Sequence, residues 1–223
     1  MNARLRAATL AAVLLGWSQV APRFPQRWNP LPHTVFGAAI AVITRTPMGL
    51  RPPALWHGLR WGSAAAVPIT LTVAASTASG PVRAGMAGRA LPAAAMPWLL
   101  LRIPLGTVWS EEVAFRSALG MTARKAFGIK AGRVFAATVF GLSHVPDARA
   151  AREPVLRTVL ATGAAGWLFA WLYDRSGSLA APMLTHLAVN EAGAVAALAV
   201  QRRHSERARS TDAARSPGRR SRN

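Results

Sequence analysis

Apolar residues gather along this chain in long blocks rather than alternating with charge, and short runs rich in Pro, Gly and Arg separate the blocks. The first block covers 5–21 (LRAATLAAVLLGWSQVA) and begins at Arg4 and Arg6. A basic start before a short apolar core also has the form of a secretory signal, but no clear small-x-small cleavage site follows, so a retained helix is expected. The next stretch, PRFPQRWNPLP, reads as a loop at the membrane surface, because its prolines fix φ and remove amide donors. Trp28 suits an interfacial anchor there.

Further blocks follow at about 33–50, 55–80, 90–109, 132–145, 155–173 and 179–200. Pro68, Pro92, Pro97 and Pro104 fall inside the third and fourth, where lipid-embedded helices tolerate proline better than soluble ones do. About 20 apolar residues cross a bilayer as a helix, and the fifth block is short enough to be partly re-entrant. The run RSALGMTARKAFGIKAGR after the fourth block is expected to break the chain. The pattern predicts an all-α fold, a polytopic transmembrane bundle of seven or eight apolar segments in one domain over 1–200. Residues 201–223 are expected to form a basic, disordered tail.

Composition agrees with the pattern. Of 223 residues, 52% are hydrophobic and 16% charged, and mean hydropathy is +0.23. A soluble domain would carry about a quarter charged residues. Cysteine is absent, which excludes disulfides and thiolate metal sites. The net charge of +19 raises the question of nucleic acid. The arginines, however, mark block ends and load the tail after Val200, the distribution of an integral membrane protein with a cytoplasmic C-terminus beside anionic lipid. A bacterial plasma membrane is the expected location, and nucleic acid is not an expected partner.

The acids are scarcer than the bases and more informative. The first 110 residues hold ten arginines and no Asp or Glu, and then Glu111 and Glu112 stand side by side with Arg116 shortly after. On a helix, residues i and i+4 share a face, so Glu112 can pair with Arg116 while Glu111 points elsewhere. At the membrane surface such a pair contributes only a few tenths of a kcal/mol. Other polar residues within apolar blocks change that reading. His144 ends the fifth block, and His186 and Asn190 share a helical face in the last. Polar groups are costly in lipid and tend to face an interior cavity, and an unpartnered Asn there would cost about 1 kcal/mol or more. Mutual convergence removes that cost.

Glu111-Glu112-x-x-x-Arg116, Phe140-x-x-x-His144 and His186-x-x-x-Asn190, in that order over about 95–195, resemble the signature of the CAAX-processing and bacteriocin-processing (CPBP, Abi) intramembrane proteases. The Ras-converting enzyme is the eukaryotic member of that family. The resemblance implies helices around a polar chamber and hydrolysis of a peptide bond near the membrane face, with a peptide or protein as substrate. It implies Glu111 as the general base that activates water, aided by His144. His186 and Asn190 would be the oxyanion donors, and Glu112 and Arg116 would support the site. Amide hydrolysis does need a base near neutral pH and donors where negative charge develops.

Glu111, His144 and His186 also form a two-His, one-carboxylate set with the donor types of a catalytic zinc site, and Glu112 would then be the base. No His-Glu-x-x-His is present, and a metal-free glutamate mechanism, without a cofactor, is the expectation. His33, at a block edge with nothing acidic nearby, is expected to be an ordinary residue, and Asp147 and Asp174 in loops are expected in water beside arginines. Two other classes compete with a protease. One is a non-catalytic membrane scaffold or immunity-type protein that keeps the fold; the other is a proton- or cation-coupled transporter.

Overall fold

Residues 2–25 and 28–215 are described by the computed structural model, and they are all-helical, with no strand among them. The first block becomes α1 (Ala3–Val20), whose start is capped by Asn2, its Oδ1 accepting from the Leu5 amide at 2.8 Å. The second becomes α2 (Leu31–Thr44), shorter than the apolar block because Arg45 turns to φ 48° and Pro47, Pro52 and Pro53 keep the following residues out of helix. The third becomes α3 (Ala54–Ser76), with Pro68 inside it, and α4 (Gly80–Ala87), bent from α3 by 91°.

The fourth block departs most from expectation. Helical winding starts at α5 (Ala95–Pro97) and runs without a break to residue 127. It passes through two π-helical stretches, π1 (Trp98–Trp109) and π2 (Glu112–Gly120), and ends with α6 (Met121–Phe127). The break expected over 116–133 narrows to Gly128, which takes φ 82°. Met, Ala, Arg and Lys are good helix formers, so the basic character of MTARK is no obstacle to continuing the helix. Stretches of π-helix are rare and frequently mark functional sites. Here they flank Glu111.

Beyond Gly128 come α7 (Ile129–Ser143), the short α8 (Val145–Ala150), α9 (Val155–Ser176) and α10 (Ala180–Arg215). Gly177, in the left-handed region at φ 69°, ends α9 and reverses the chain. The tail expected to be disordered from 201 continues α10 to Arg215, with Gln201 Nε2 donating to the carbonyls of Met86 and Arg89 at 3.0 and 2.7 Å. Residues 216–223 lie outside the described residues.

Among the described residues two helices are long and apolar enough to cross a membrane alone, Val155–Ser176 and Ala180–Ser210, and α3 with α4 makes a third if the bent pair is one span. Length and composition thus give two or three candidate spans, fewer than the seven or eight apolar segments expected.

The core that positions the site lies where α1, π2 and α7 meet. Leu14, Phe115, Leu119, Val139 and Phe140 are buried there together. Burying side chains of this size is worth about 1.5–3 kcal/mol each. Gly141 permits α7 to approach α9 closely, since a Cβ there would stand 2.5 Å from the Val159 carbonyl oxygen.

Candidate active site

π2 carries its own acid, Glu112, into the interior, and the residue just before it, Glu111, is in a different state of satisfaction. Glu112 and Arg116 are fully buried, at 0% and 1% exposure. Arg116 Nη2 donates to Glu112 Oε1 at 3.2 Å, and Arg116 Nε lies 3.0 Å from Glu112 Oε2. His186 Nδ1 donates to the same Oε1 at 2.8 Å. The guanidinium carbon lies 4.2 Å from the centre of the Phe140 ring and 5.3 Å from that of Phe169, so aromatic faces supply attraction on the sides that no carboxylate reaches. A buried ion pair gains or loses little against apolar residues of the same shape, but removing one partner strands the other charge. Glu112 is therefore committed to holding the helices together.

Glu111 is half-buried and turned toward a cavity. Its Oε2 is buried without a hydrogen-bond partner, and His186 Nε2 stands 3.9 Å from it. The imidazole of His186 thus spans both acids, with Nδ1 on Glu112 and Nε2 facing Glu111. Phe169 stacks on that ring at 4.9 Å between centres.

The cavity has a volume of about 330 Å³, and Glu111 and His144 both line it. His144 sits at the junction of α7 and α8 with φ −91° and ψ 1°, a sparsely populated backbone region common in active sites. Pro146, in the first turn of α8, stops α7 there. The carbonyl of Phe140 can only accept, so the 2.8 Å contact with His144 Nδ1 puts the proton on Nδ1 and the lone pair on Nε2. Gly166 makes room for Phe140, whose Cδ1 would stand 2.7 Å from a Cβ at that position. Phe140 thereby serves three groups: its carbonyl orients His144, its ring covers Arg116, and its edge meets Phe115 at 5.0 Å between centres.

Of the six residues singled out in the sequence, Glu111, Glu112, Arg116 and His186 form one contact network, and His144 joins Glu111 across the cavity. Asn190 stands apart. It is half-buried on α10, one turn beyond His186, and does not line the cavity. Among the described residues no three His, Asp or Glu side chains are grouped to hold a metal ion.

Three cavity residues escaped the sequence reading. His33 on α2, edge-on to Trp17 at 5.7 Å between centres, and Asp147 on α8 line the cavity with Glu111 rather than facing bulk water. Asn29 lines it too, and its Oδ1 is buried without a partner. Asp147 lies at the rim, where partial burial raises its carboxyl above the ordinary range; His144 opposes the shift and Glu111 adds to it. A lone His at a block edge and an Asp in a proline-bearing loop carry no periodic signal, so only the packing of α1, α2 and α8 reveals them. Asp174, expected in water beside arginines, does meet arginines, pairing with Arg124 and with Arg133, whose Nη2 lies 2.6 Å from Oδ2, but it is half-buried rather than in open water.

Comparison with known proteins bears on the same segment. Residues 93–192, rather less than half of the chain, match the family model described as type II CAAX prenyl endopeptidase, Rce1-like. No curated protein and no solved structure matches. The matched segment runs from just before α5 into α10 and contains all three motifs. Over this segment the chain is similar to the Rce1-like CAAX endopeptidases, which supports a CAAX-type intramembrane protease, and the apolar helices agree with a membrane protein.

Proposed function

We propose that the protein is an intramembrane endopeptidase that hydrolyses a peptide bond near the membrane face, with water activated by Glu111. The observation that carries this reading is the contrast between the two neighbouring acids. Glu112 Oε1 takes hydrogen bonds from Arg116 and His186 and its Oε2 lies 3.0 Å from Arg116 Nε, whereas Glu111 Oε2 has no hydrogen bond and only His186 Nε2 at 3.9 Å, beside a cavity that can admit a peptide segment. A carboxylate in that position can take a proton from water as the oxygen attacks the scissile carbonyl. His144, with its Nε2 lone pair free of backbone bonds, is suited to share that proton. Nδ1 of His186 already donates to Glu112, so stabilisation of the oxyanion from its Nε2 edge requires a proton on both ring nitrogens, and Asn190 is assigned as the second donor, reaching the site as substrate binds. Glu112 and Arg116 fix the His186 ring and the pitch of π2.

Trp17, Phe36 and Phe115 form an apolar wall of the cavity, and Trp17 and Phe36 are stacked at 4.3 Å between centres. That wall suits an apolar side chain next to the bond that is cut. Among the described residues no Lys or Arg lines the cavity. Orientation with the C-terminus in the cytoplasm of a bacterium, and a metal-free reaction, complete the proposal.

The test is cleavage of a peptide library by purified protein, comparing wild type with Glu111→Gln and His186→Ala. General-base and oxyanion roles each predict a fall in rate on the order of a hundredfold or more. Equal turnover by all three proteins would end the protease reading. Absence of turnover from wild type as well would leave the non-catalytic scaffold in its place.

A further inference from the structure

Away from the acidic cavity, a groove of about 920 Å³ lies between α3, α4 and the outer part of α10. Gly58 abuts Ser178 and Ala180, and Gly62 abuts Ala181 and Leu184, so α3 and α10 run parallel and the end of α3 comes level with the end of the apolar part of α10. The floor of the groove is small and apolar, with Ala74, Val195 and Ala199 among its residues. Arg83, Arg203 and His204 line it where the apolar stretch of α10 gives way to charge, and no described Asp or Glu lines it.

This end of the groove is held in shape. Arg83 Nη1 donates to the carbonyls of Thr77 and Ala78 at 3.0 and 2.7 Å, which pins the guanidinium across the bend between α3 and α4. Gln201 fastens the far end of α4 to α10 through the carbonyls of Met86 and Arg89. If α3 crosses the bilayer, the 91° bend lays α4 along its surface, at the level of lipid headgroups.

We propose that this groove binds an anionic phospholipid, with the phosphate between Arg83 and Arg203 and an acyl chain along the alanine and valine floor. Guanidinium groups recognise phosphate oxygens in a two-pronged geometry, and juxtamembrane basic clusters attract anionic headgroups. A zwitterionic headgroup fits less well, because its ammonium would meet arginines with no carboxylate to receive it. The site is independent of the protease reading, since it shares no lining residue with the acidic cavity.

The test uses the full chain in nanodiscs of equal phosphatidylglycerol and phosphatidylcholine, followed by native mass spectrometry of the lipid that stays bound. Wild type is expected to retain phosphatidylglycerol several-fold over phosphatidylcholine. Arg83→Ala with Arg203→Ala should abolish the preference, and Ala196→Trp, which fills the floor, should reduce retention of both lipids. A control with Arg219→Ala, Arg220→Ala and Arg222→Ala should keep the preference. Equal retention by wild type, or a preference lost in the control and kept in the double variant, would overturn the proposal. Should the variants fail to fold, crosslinking of wild type by phosphatidylglycerol with a photoreactive acyl chain decides: adducts within 70–87 and 192–207 support the groove, and adducts confined elsewhere refute it.

Discussion

The two cavities carry opposite charge on their walls. The smaller, around Glu111, has two carboxylates and two imidazoles on its walls and, among the described residues, no Lys or Arg. The larger, between α3 and α10, has arginines and a histidine and no described carboxylate. In a chain with 27 basic and 8 acidic residues, a cavity free of arginine is the less expected of the two. Arg116, the arginine closest to Glu111 along the chain, is kept out of it by being buried under Phe140 and paired with Glu112. The contrast teaches that charge here is sorted by role. One cavity leaves a carboxylate oxygen without a hydrogen bond, as the proposed proton transfer requires, and the other gathers cations where the proposed lipid site needs them.

Breaking the barrier between Arg116 and the cavity should have the largest effect on the fold. Arg116→Leu strands the Glu112 carboxylate in the interior and is expected to destabilise the protein by about 3–5 kcal/mol, seen as an early melt in detergent. A melt unchanged from wild type would show that Glu112 finds another partner. Gly166→Ala acts on the same barrier through Phe140, and overpacking of this kind costs about 1–3 kcal/mol. Turnover should fall with it, because the Phe140 carbonyl also orients His144; stability lost with turnover intact would separate the two roles.

The smallest effect is expected at Asp147. Burial and Glu111 raise its carboxyl, so the folded state holds this proton more tightly than the unfolded chain. That contribution is present in acid and fades as pH rises above the ordinary carboxylate range. Asp147→Asn should therefore gain stability relative to wild type as pH rises from about 4 toward neutrality. A gap between the two melting curves that does not vary with pH would place Asp147 in open water.

The apolar blocks announced most helices because a continuous greasy run needs internally satisfied backbone, and α9 begins at the residue where its block begins. The Glu112–Arg116 pairing was visible in the i, i+4 spacing, and it survives in π-helix. What the blocks concealed was set by packing. The helix over 116–119 is set by the burial of π2, which its sequence does not convey, while MTARK continues it by the helix propensity of its residues, a signal that its basic character obscured. His33 and Asp147 reach the cavity only because α2 and α8 close over it. Asn190 shares a helix face with His186, as its spacing required, but sharing a face did not bring it to the cavity.

The central claim is that adjacent acids hold different offices, Glu111 in chemistry and Glu112 in architecture. Glu111→Gln and Glu112→Gln, purified side by side and assayed for both peptide cleavage and melting temperature, test it most directly. The account predicts that Glu111→Gln melts with wild type and loses cleavage on the order of a hundredfold or more, while Glu112→Gln melts well below both. Cleavage retained by Glu111→Gln, or matching losses of stability in the two variants, would contradict it.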